Sequence, residues 1–163
     1  MKKIITLFIY TVSTTLLYGQ KSVCGQFHKK YCKLEKEKDE TWEYNSQSRS
    51  GLFFQGMTSK IRCVIYKGMD YRLTLCAETV LSDKLNFKIY DAKTNELLFD
   101  NASAENTQVF EFQSTSTRPI IIEVFVPEGA TETSNNALKS KEAACVGLLI
   151  EHKKTDIQGF SKY

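Results

Sequence analysis

Histidine is scarce in this sequence: His28 and His152 are the only two among 163 residues. A serine or cysteine nucleophile needs a neighbouring base, which is most often a histidine. His152 follows Glu151 in a segment that alternates as a strand. Adjacent strand residues point to opposite faces, so these two side chains cannot form an orienting pair. We interpret His152 as a surface residue, and the sequence offers no recognisable site for nucleophilic hydrolysis.

Long apolar runs are also lacking. The longest, Ile4 to Leu17, has 14 residues, whereas a membrane-spanning helix needs roughly 20. Two lysines precede the run and small or polar residues follow it, as in a secretory signal peptide. We predict a signal peptide over 1–19, with a buried N-terminal helix as the alternative. The mature protein is then secreted or periplasmic and has no transmembrane segment.

No large excess of one charge sign is present. The whole chain carries +3, and removal of Lys2 and Lys3 with the signal peptide leaves +1. A nearly neutral protein exerts no long-range attraction on nucleic acid, so we expect no nucleic-acid partner. The charges that remain are densest in a segment that we assign to a charged N-terminal arm, 20–50. Within the arm, a helix over about 26–38 and a short strand at Thr41 to Tyr44 are possible.

The cysteines do not form a C-x-x-C pair, so thioredoxin-like redox chemistry is not indicated. There are five, Cys24, Cys32, Cys63, Cys76 and Cys145. In an exported protein, disulfides are the default. We predict the bridges Cys76–Cys145 and Cys24–Cys32, with Cys63 as a buried free thiol, although sequence alone leaves other pairings open. The short bridge excludes a helix between Cys24 and Cys32, because eight helical residues rise about 12 Å and bridged Cα atoms lie about 4.4–6.8 Å apart.

A zinc site is conceivable at the N-terminus. Cys24, His28 and Cys32 are spaced by four residues, so a helix would place all three on one face. Zinc needs thiolates and a fourth ligand. No second cluster supplies that ligand, and oxidation would remove the thiolates. We therefore expect no metal here, and no cofactor elsewhere.

Oxygen ligands for calcium cluster at Asp91, Asn95 and Asp100, which form a candidate site. The stretch lacks the glycine and terminal glutamate of an EF-hand loop. Asp83, Asp91, Glu96 and Asp100 all lie at predicted turns, where aspartate is common because it hydrogen-bonds its own backbone. Paired carboxylates can also act as acid and base. This leaves a carboxylate-based secreted hydrolase of glycans or peptides as an alternative function.

From Gly51 onward, apolar residues recur at every second position, which is the period of a half-buried strand. The predicted strands are 59–66, 70–78, 85–89, 97–99, 107–113, 119–126 and 144–152. The connections are too short for crossover helices, so the sheets should be antiparallel. We predict an all-β fold, an antiparallel β-sandwich or jelly roll of about seven or eight strands over 51–153, followed by a tail at 154–163.

Five segments carry a resemblance to a known family: Tyr66 to Leu75, Leu85 to Asp91, Leu97 to Asp100, Ile120 to Val124 and Val146 to Ile150. With them, the region from Ile61 to Glu151 resembles the bacterial pre-peptidase C-terminal type of β-sandwich. The resemblance implies a non-catalytic companion of secreted enzymes. The chain departs from that pattern at Arg118-Pro119, where the family has a glycine, and no enzyme domain accompanies it here. It also resembles small exported bacterial proteins of unknown function.

Aromatic side chains gather near the start of the predicted β domain, at Trp42, Tyr44, Phe53 and Phe54. Such residues stack on sugar rings or on a protein partner, and they also fill the cores of small sandwiches. We predict an exported, non-catalytic binding or envelope-accessory module that uses these four residues to bind an unknown protein or glycan partner.

Overall fold

The computed structural model describes residues 23–34, 41–81, 85–128 and 143–155. The predicted signal peptide at 1–19 and most of the predicted tail lie outside these residues. In the part of the chain that is described, no helix is both long and apolar enough to cross a membrane.

Strands dominate the described residues. The elements, in order, are α1 (Phe27–Tyr31), β1 (Glu43–Tyr44), β2 (Arg49–Phe53), β3 (Thr58–Ile65), β4 (Met69–Ala77), β5 (Asn86–Asp91), β6 (Leu97–Asp100), β7 (Val109–Ser114), β8 (Arg118–Phe125) and β9 (Ala144–Lys154). Two short 3-10 turns, Thr79–Leu81 and Asn101–Ser103, follow β4 and β6.

The strands form two antiparallel sheets that pack face to face. In sheet one, β1 and β2 pair with successive stretches of β9, and the order continues from β9 to β4 and β7. Sheet two has the order β3-β8-β5-β6. The prediction of an all-β antiparallel sandwich is confirmed. The described chain has nine strands instead of seven or eight, because β2 was not predicted.

The core lies between the sheets and follows the predicted alternation. On β4, Tyr71, Leu73 and Leu75 are buried, and on β8 so are Ile120 and Ile122. Fully burying a side chain of this size contributes about 1.5–3 kcal/mol relative to leaving it exposed. The outward residues of the same strands are available for contacts on the outer faces.

Two disulfides fasten a segment before β1, residues 23–34, across the outer face of sheet one; we call this segment the strap. The bridges are Cys24–Cys145 and Cys32–Cys76, with Cα–Cα distances of 5.4 and 5.2 Å. The predicted pairs, Cys76–Cys145 and Cys24–Cys32, are therefore wrong. Cys76 and Cys145 project outward from neighbouring strands. Since α1 separates Cys24 from Cys32, each of these two reaches a different strand.

The helix of the strap is shorter than the predicted 26–38. It spans five residues and ends at Tyr31, with Cys32 as the C-cap residue. The strap, β1 and the start of β2 all fall in the segment that we assigned to a charged arm, and residues 35–40 lie outside the described chain. The division at residue 51 stays a prediction, but strand β2 crosses it.

Candidate binding cleft

The two sheets leave a cleft between them on the side where β6 and β7 form their edges. Its volume is about 230 Å³. Its apolar walls include Ile65, Ile89, Ile120, Phe99, Phe110 and Phe112, and its polar atoms come from Gln113 and Arg118. We call it the inter-sheet cleft. Ligand sites in proteins are commonly of this kind, mostly apolar with a few placed polar groups.

Stacked phenylalanines form one wall of the inter-sheet cleft. The ring centroids of Phe99 and Phe110 are 3.7 Å apart across the gap between the sheets. Phe110 is 5.4 Å from Phe112, and Phe99 is 5.3 Å from Phe87 in the core. Phe99, Phe110 and Phe112 are only half-buried. Aromatic surface therefore remains open to solvent at the cleft.

A charged pair, Arg118 and Asp91, stands on the inner face of sheet two beside these rings. Arg118 pairs in register with Ile65, and Asp91 with Ile120, whose side chains are both in the core. Residues directly opposite on neighbouring strands share a face, so both charges project inward. Arg118 Nη1 lies 3.3 Å from Asp91 Oδ2.

The Arg118 guanidinium has more N–H donors than its contact with Asp91 uses. Its Nε is buried and has no hydrogen-bond partner among the described residues. Asp91 already accepts hydrogen bonds from the backbone N–H groups of Lys93 and Thr94. These two bonds, together with the charge of Arg118, lower the pKa of Asp91 below its ordinary value and keep it ionised. A planar fork of N–H donors suits a second carboxylate, and apolar walls suit an aromatic or aliphatic group.

A second depression, the outer groove, lies on the other face of β7. Its lining includes Trp42, Asp70, Glu111, Gln113 and Lys153, and its volume is about 330 Å³. Gln113 lines the inter-sheet cleft as well. The edge strand β7 therefore separates a mostly apolar cavity from a mostly polar one.

Trp42 is not open for stacking on a sugar. Its side chain is 6% exposed. The Arg72 guanidinium lies 4.4 Å from its ring and the Lys153 ammonium 4.7 Å. Arg72 is also paired with Glu111 at 2.6 Å. Cation–π contacts with two neighbours explain why this tryptophan is buried on a polar sheet face.

The four aromatic residues that we predicted as a binding cluster do not lie together. Tyr44 pairs with Glu151 on β9, and Phe53 pairs with Ala144, so they are about 23 Å apart along that strand. Phe53 is buried in the core, while Tyr44 and Phe54 are 43% and 42% exposed. The prediction of one shared surface is wrong, since β1 and β2 occupy opposite ends of the edge of β9.

The calcium candidate does not assemble either. Asp100 is opposite Lys88 in register and pairs with it at 3.0 Å. Asp91 is three residues further along β5, about 10 Å from that position, and it pairs with Arg118. No three metal-ligating side chains come together within the described residues. Asn95 lies in the turn between β5 and β6, where it adopts a left-handed φ of 58°.

Of the cysteines, four are bridged and Cys63 is free and buried. Burial raises the pKa of the Cys63 thiol to about 11. His28 belongs to the strap and is buried against sheet one, where its Nδ1 lies 2.6 Å from Ser50 Oγ and its Nε2 3.2 Å from Tyr44 OH. These contacts fix the strap to β1 and β2, and the disulfides occupy both cysteines of the zinc candidate.

The inter-sheet cleft was not predicted from the sequence, although one signal was there. Phe87, Ile89 and Asp91 alternate, and so do Arg118, Ile120 and Ile122. In both runs a charged residue takes an inward position at the end of the apolar series. We assigned Asp91 to a turn and Arg118 to a departure from a family pattern, so the pair was missed.

No protein-family model matches this chain, and no curated protein matches it. Among solved structures, it is similar to PliG of Aeromonas hydrophila, a periplasmic lysozyme inhibitor of g-type lysozyme. The two are 12% identical, with a TM-score of 0.48, over 74% of this chain and 93% of PliG. A likeness at this level assigns neither a family nor a partner. The resemblance to the pre-peptidase C-terminal sandwich stays a prediction.

Proposed function

We propose that this chain is a non-catalytic, extracytoplasmic binding protein that holds an apolar group of a protein partner in the inter-sheet cleft. Arg118 receives a carboxylate that neighbours this group. The observation that carries the proposal is the inward charge of Arg118 beside the half-exposed rings of Phe99, Phe110 and Phe112.

The pairing with Asp91 uses only part of the Arg118 guanidinium. The side chain is 38% exposed and its Nη1 lies 3.3 Å from Asp91 Oδ2, at a position where a branched apolar residue would extend the series of Ile120 and Ile122. The guanidinium instead keeps a buried Nε without a partner in the described chain. A ligand carboxylate would satisfy this donor.

The compartment is part of the proposal. Two disulfides in one small chain support an oxidising environment, since cytosolic proteins keep their thiols reduced. The predicted signal peptide over 1–19 agrees with this. The same two observations favour a secreted or periplasmic protein, and they suit a partner that is met outside the cytoplasm.

The dye 8-anilinonaphthalene-1-sulfonate tests the cleft, because it combines aromatic rings with one anionic group. We expect saturable binding with enhanced fluorescence to the folded protein. Arg118→Met, which keeps an unbranched apolar side chain and removes the guanidinium, should weaken binding about tenfold, the usual effect of losing a charged hydrogen bond. Arg118→Lys should retain most of the affinity.

The matched control is Lys60→Met, which removes a cation from the opposite edge of sheet two, where Lys60 pairs with Glu123 at 2.9 Å. Dye binding should be unchanged in this variant. Equal affinities of Arg118→Met and the unmodified protein, with both folded by circular dichroism, would contradict the proposal.

A peptide array then tests the partner class, with g-type lysozyme and other exported proteins as whole-protein arms. Peptides that place an aromatic or aliphatic residue next to an acidic one should bind, and Arg118→Met should reduce their signal. A signal confined to glycans, on an array run in parallel, would count against a protein partner.

A further inference from the structure

The outer edge of β7 is built to receive another strand. The carbonyls of Gln108 and Ser114 accept hydrogen bonds from the β4 side, from Leu75 N and Gly68 N. In a strand, the N–H and C=O of one residue point to the same side, and this side alternates along the chain. The backbone groups of Glu111 and Gln113 therefore point away from β4, and no described strand pairs with this edge.

Other edge positions are closed by side chains. At the first residue of β7, Val109, both the N–H and the carbonyl lie within hydrogen-bond distance of the hydroxyl of Thr107, which precedes the strand. On β3, the edge of sheet two, Val64 N–H donates to the Gln47 side chain. Proteins protect strand edges in this way against unwanted pairing. Among the described residues, no such side-chain hydrogen bond closes the backbone groups of Glu111 and Gln113.

The two cavities lie on either side of this open edge. A strand added beside β7 would send alternate side chains to opposite faces, as β7 does. One set would enter the inter-sheet cleft beside Phe112, and the other would lie over the outer groove, between Glu111 and Lys153. The alternation of side chains along an added strand thus matches the apolar inter-sheet cleft on one face of β7 and the polar outer groove on the other.

We propose that the partner binds by strand addition: an extended segment of another protein pairs with the backbone of Glu111 and Gln113. Its inward side chains are apolar and fill the inter-sheet cleft, and an acidic side chain at the end of the segment reaches Arg118. The outward side chains are polar. This inference rests on the proposed function and specifies how the partner is held.

The probe is a library of synthetic heptapeptides that alternate phenylalanine or leucine with threonine and end in aspartate. In hydrogen exchange followed by NMR, the bound peptide should slow the exchange of the amides of Glu111 and Gln113. The amide of Val64 on the opposite sheet edge should be unaffected.

Gln113→Pro removes the outward N–H and leaves the bonds to β4 in place, because edge strands tolerate proline where the N–H faces solvent. We expect about a tenfold or greater loss of peptide affinity. Gln113→Ala removes the side chain and keeps the N–H, so its affinity should stay within about twofold. Arg62→Pro makes the same backbone change on the edge strand β3, far from the cleft, and should have no effect.

N-methylation of the peptide provides a second measurement that does not depend on a variant folding. Methyl groups on the alternate amides that face β7 should abolish binding, while methyl groups on the other amides should not. Equal effects of the two methylation patterns would overturn strand addition.

The outcomes separate this inference from the proposed function. If Arg118→Met weakens peptide binding and Gln113→Pro does not, the cleft binds its partner without strand addition. If binding appears only in a variant that ends at Thr155, the edge is occupied by the chain's own residues 156–163. If Gln113→Pro instead dissociates a dimer in sedimentation experiments, the occupant is a second copy. Each of these three results would overturn the proposal that an extended segment of another protein pairs with the edge of β7.

Discussion

Gly147 lies so close to the backbone of His28 that a Cβ on the glycine would be 2.9 Å from the His28 Cα. The same Cβ would be 2.6 Å from the Cys32 sulfur. Gly147 is opposite Cys76 on the outer face of sheet one, and Cys145 is two residues away on the same strand. The glycine thus lets α1 rest on the sheet between the two disulfides.

Gly147→Ala should therefore destabilise the fold, because the backbone of α1 and a bridged sulfur cannot both move away. We expect a loss of about 1–3 kcal/mol in the free energy of unfolding, the usual cost of overpacking. Urea denaturation monitored by circular dichroism measures it. The control is Gly51→Ala on the neighbouring β2, where the added Cβ meets only the Phe53 ring at an ordinary 3.4 Å. A loss of equal size in both variants would contradict the explanation.

Peptide mapping without reduction should find Cys24 joined to Cys145 and Cys32 joined to Cys76. The bridges span 121 and 44 residues. The chain-entropy model gives about 5 kcal/mol for the longer loop and about 4 kcal/mol for the shorter one. Replacing Cys24 and Cys145 by alanine should therefore lower the free energy of unfolding more than replacing Cys32 and Cys76. A peptide that joins Cys24 to Cys32 would refute the pairing.

The strands that could be predicted from the sequence are those with one solvent-exposed face and one buried face. In β8, Ile120, Ile122 and Val124 alternate without interruption, and the structure buries all three. The short strand β2 has Ser50 and Gly51 where such a series would need larger residues. Ser50 contacts His28 of the strap, so the pattern of β2 depends on contacts that sequence does not show.

The disulfides and the cleft were hard to predict for the same reason. Which cysteines meet depends on the register of β4 against β9 and on a helix that crosses both. The cleft depends on how far the edges of β6 and β7 lie apart. Inward charges at Asp91 and Arg118 were visible in the alternation, but only the fold shows that they meet.

The stability of the protein should depend on pH through His28. Burial, helped by the charges of Lys29 and Arg49, lowers the pKa of His28 below its ordinary value of about 6.5. As the pH falls through about 6.5, the unfolded chain binds a proton that the folded chain does not, so folding loses stability. The contribution is fully present above that pH and is lost on the way down to the lowered pKa.

The measurement is the free energy of unfolding in urea at pH 7.5 and at pH 5.5. His28→Asn keeps an amide nitrogen near Ser50 Oγ and removes the titrating ring. The variant should show a smaller decrease between these two pH values than the unmodified protein. An identical decrease in both proteins would assign the pH dependence to other groups.

Asn101, in the 3-10 turn that follows β6, should be among the most sensitive positions of the fold. Its side chain is fully buried, accepts a hydrogen bond from Phe87 N–H, and donates to the carbonyls of Leu85 and Thr107. Asn101→Ala would leave Phe87 N–H and the Thr107 carbonyl without a partner, while the Leu85 carbonyl keeps its hydrogen bond from Gln108 Nε2. Each unpaired group costs about 1–3 kcal/mol, so we expect a loss of at least about 2 kcal/mol in the free energy of unfolding.

The control for Asn101 is Ser103→Ala in the same 3-10 turn, where the exposed Ser103 hydroxyl donates to the Asp100 carbonyl. That change should cost about 1 kcal/mol or less. Since Asn101 follows β6 directly, its loss should also let Phe99 move relative to Phe110 and weaken dye binding at the inter-sheet cleft. An Asn101→Ala protein that is destabilised but binds the dye as before would show that the turn supports the core without positioning the cleft.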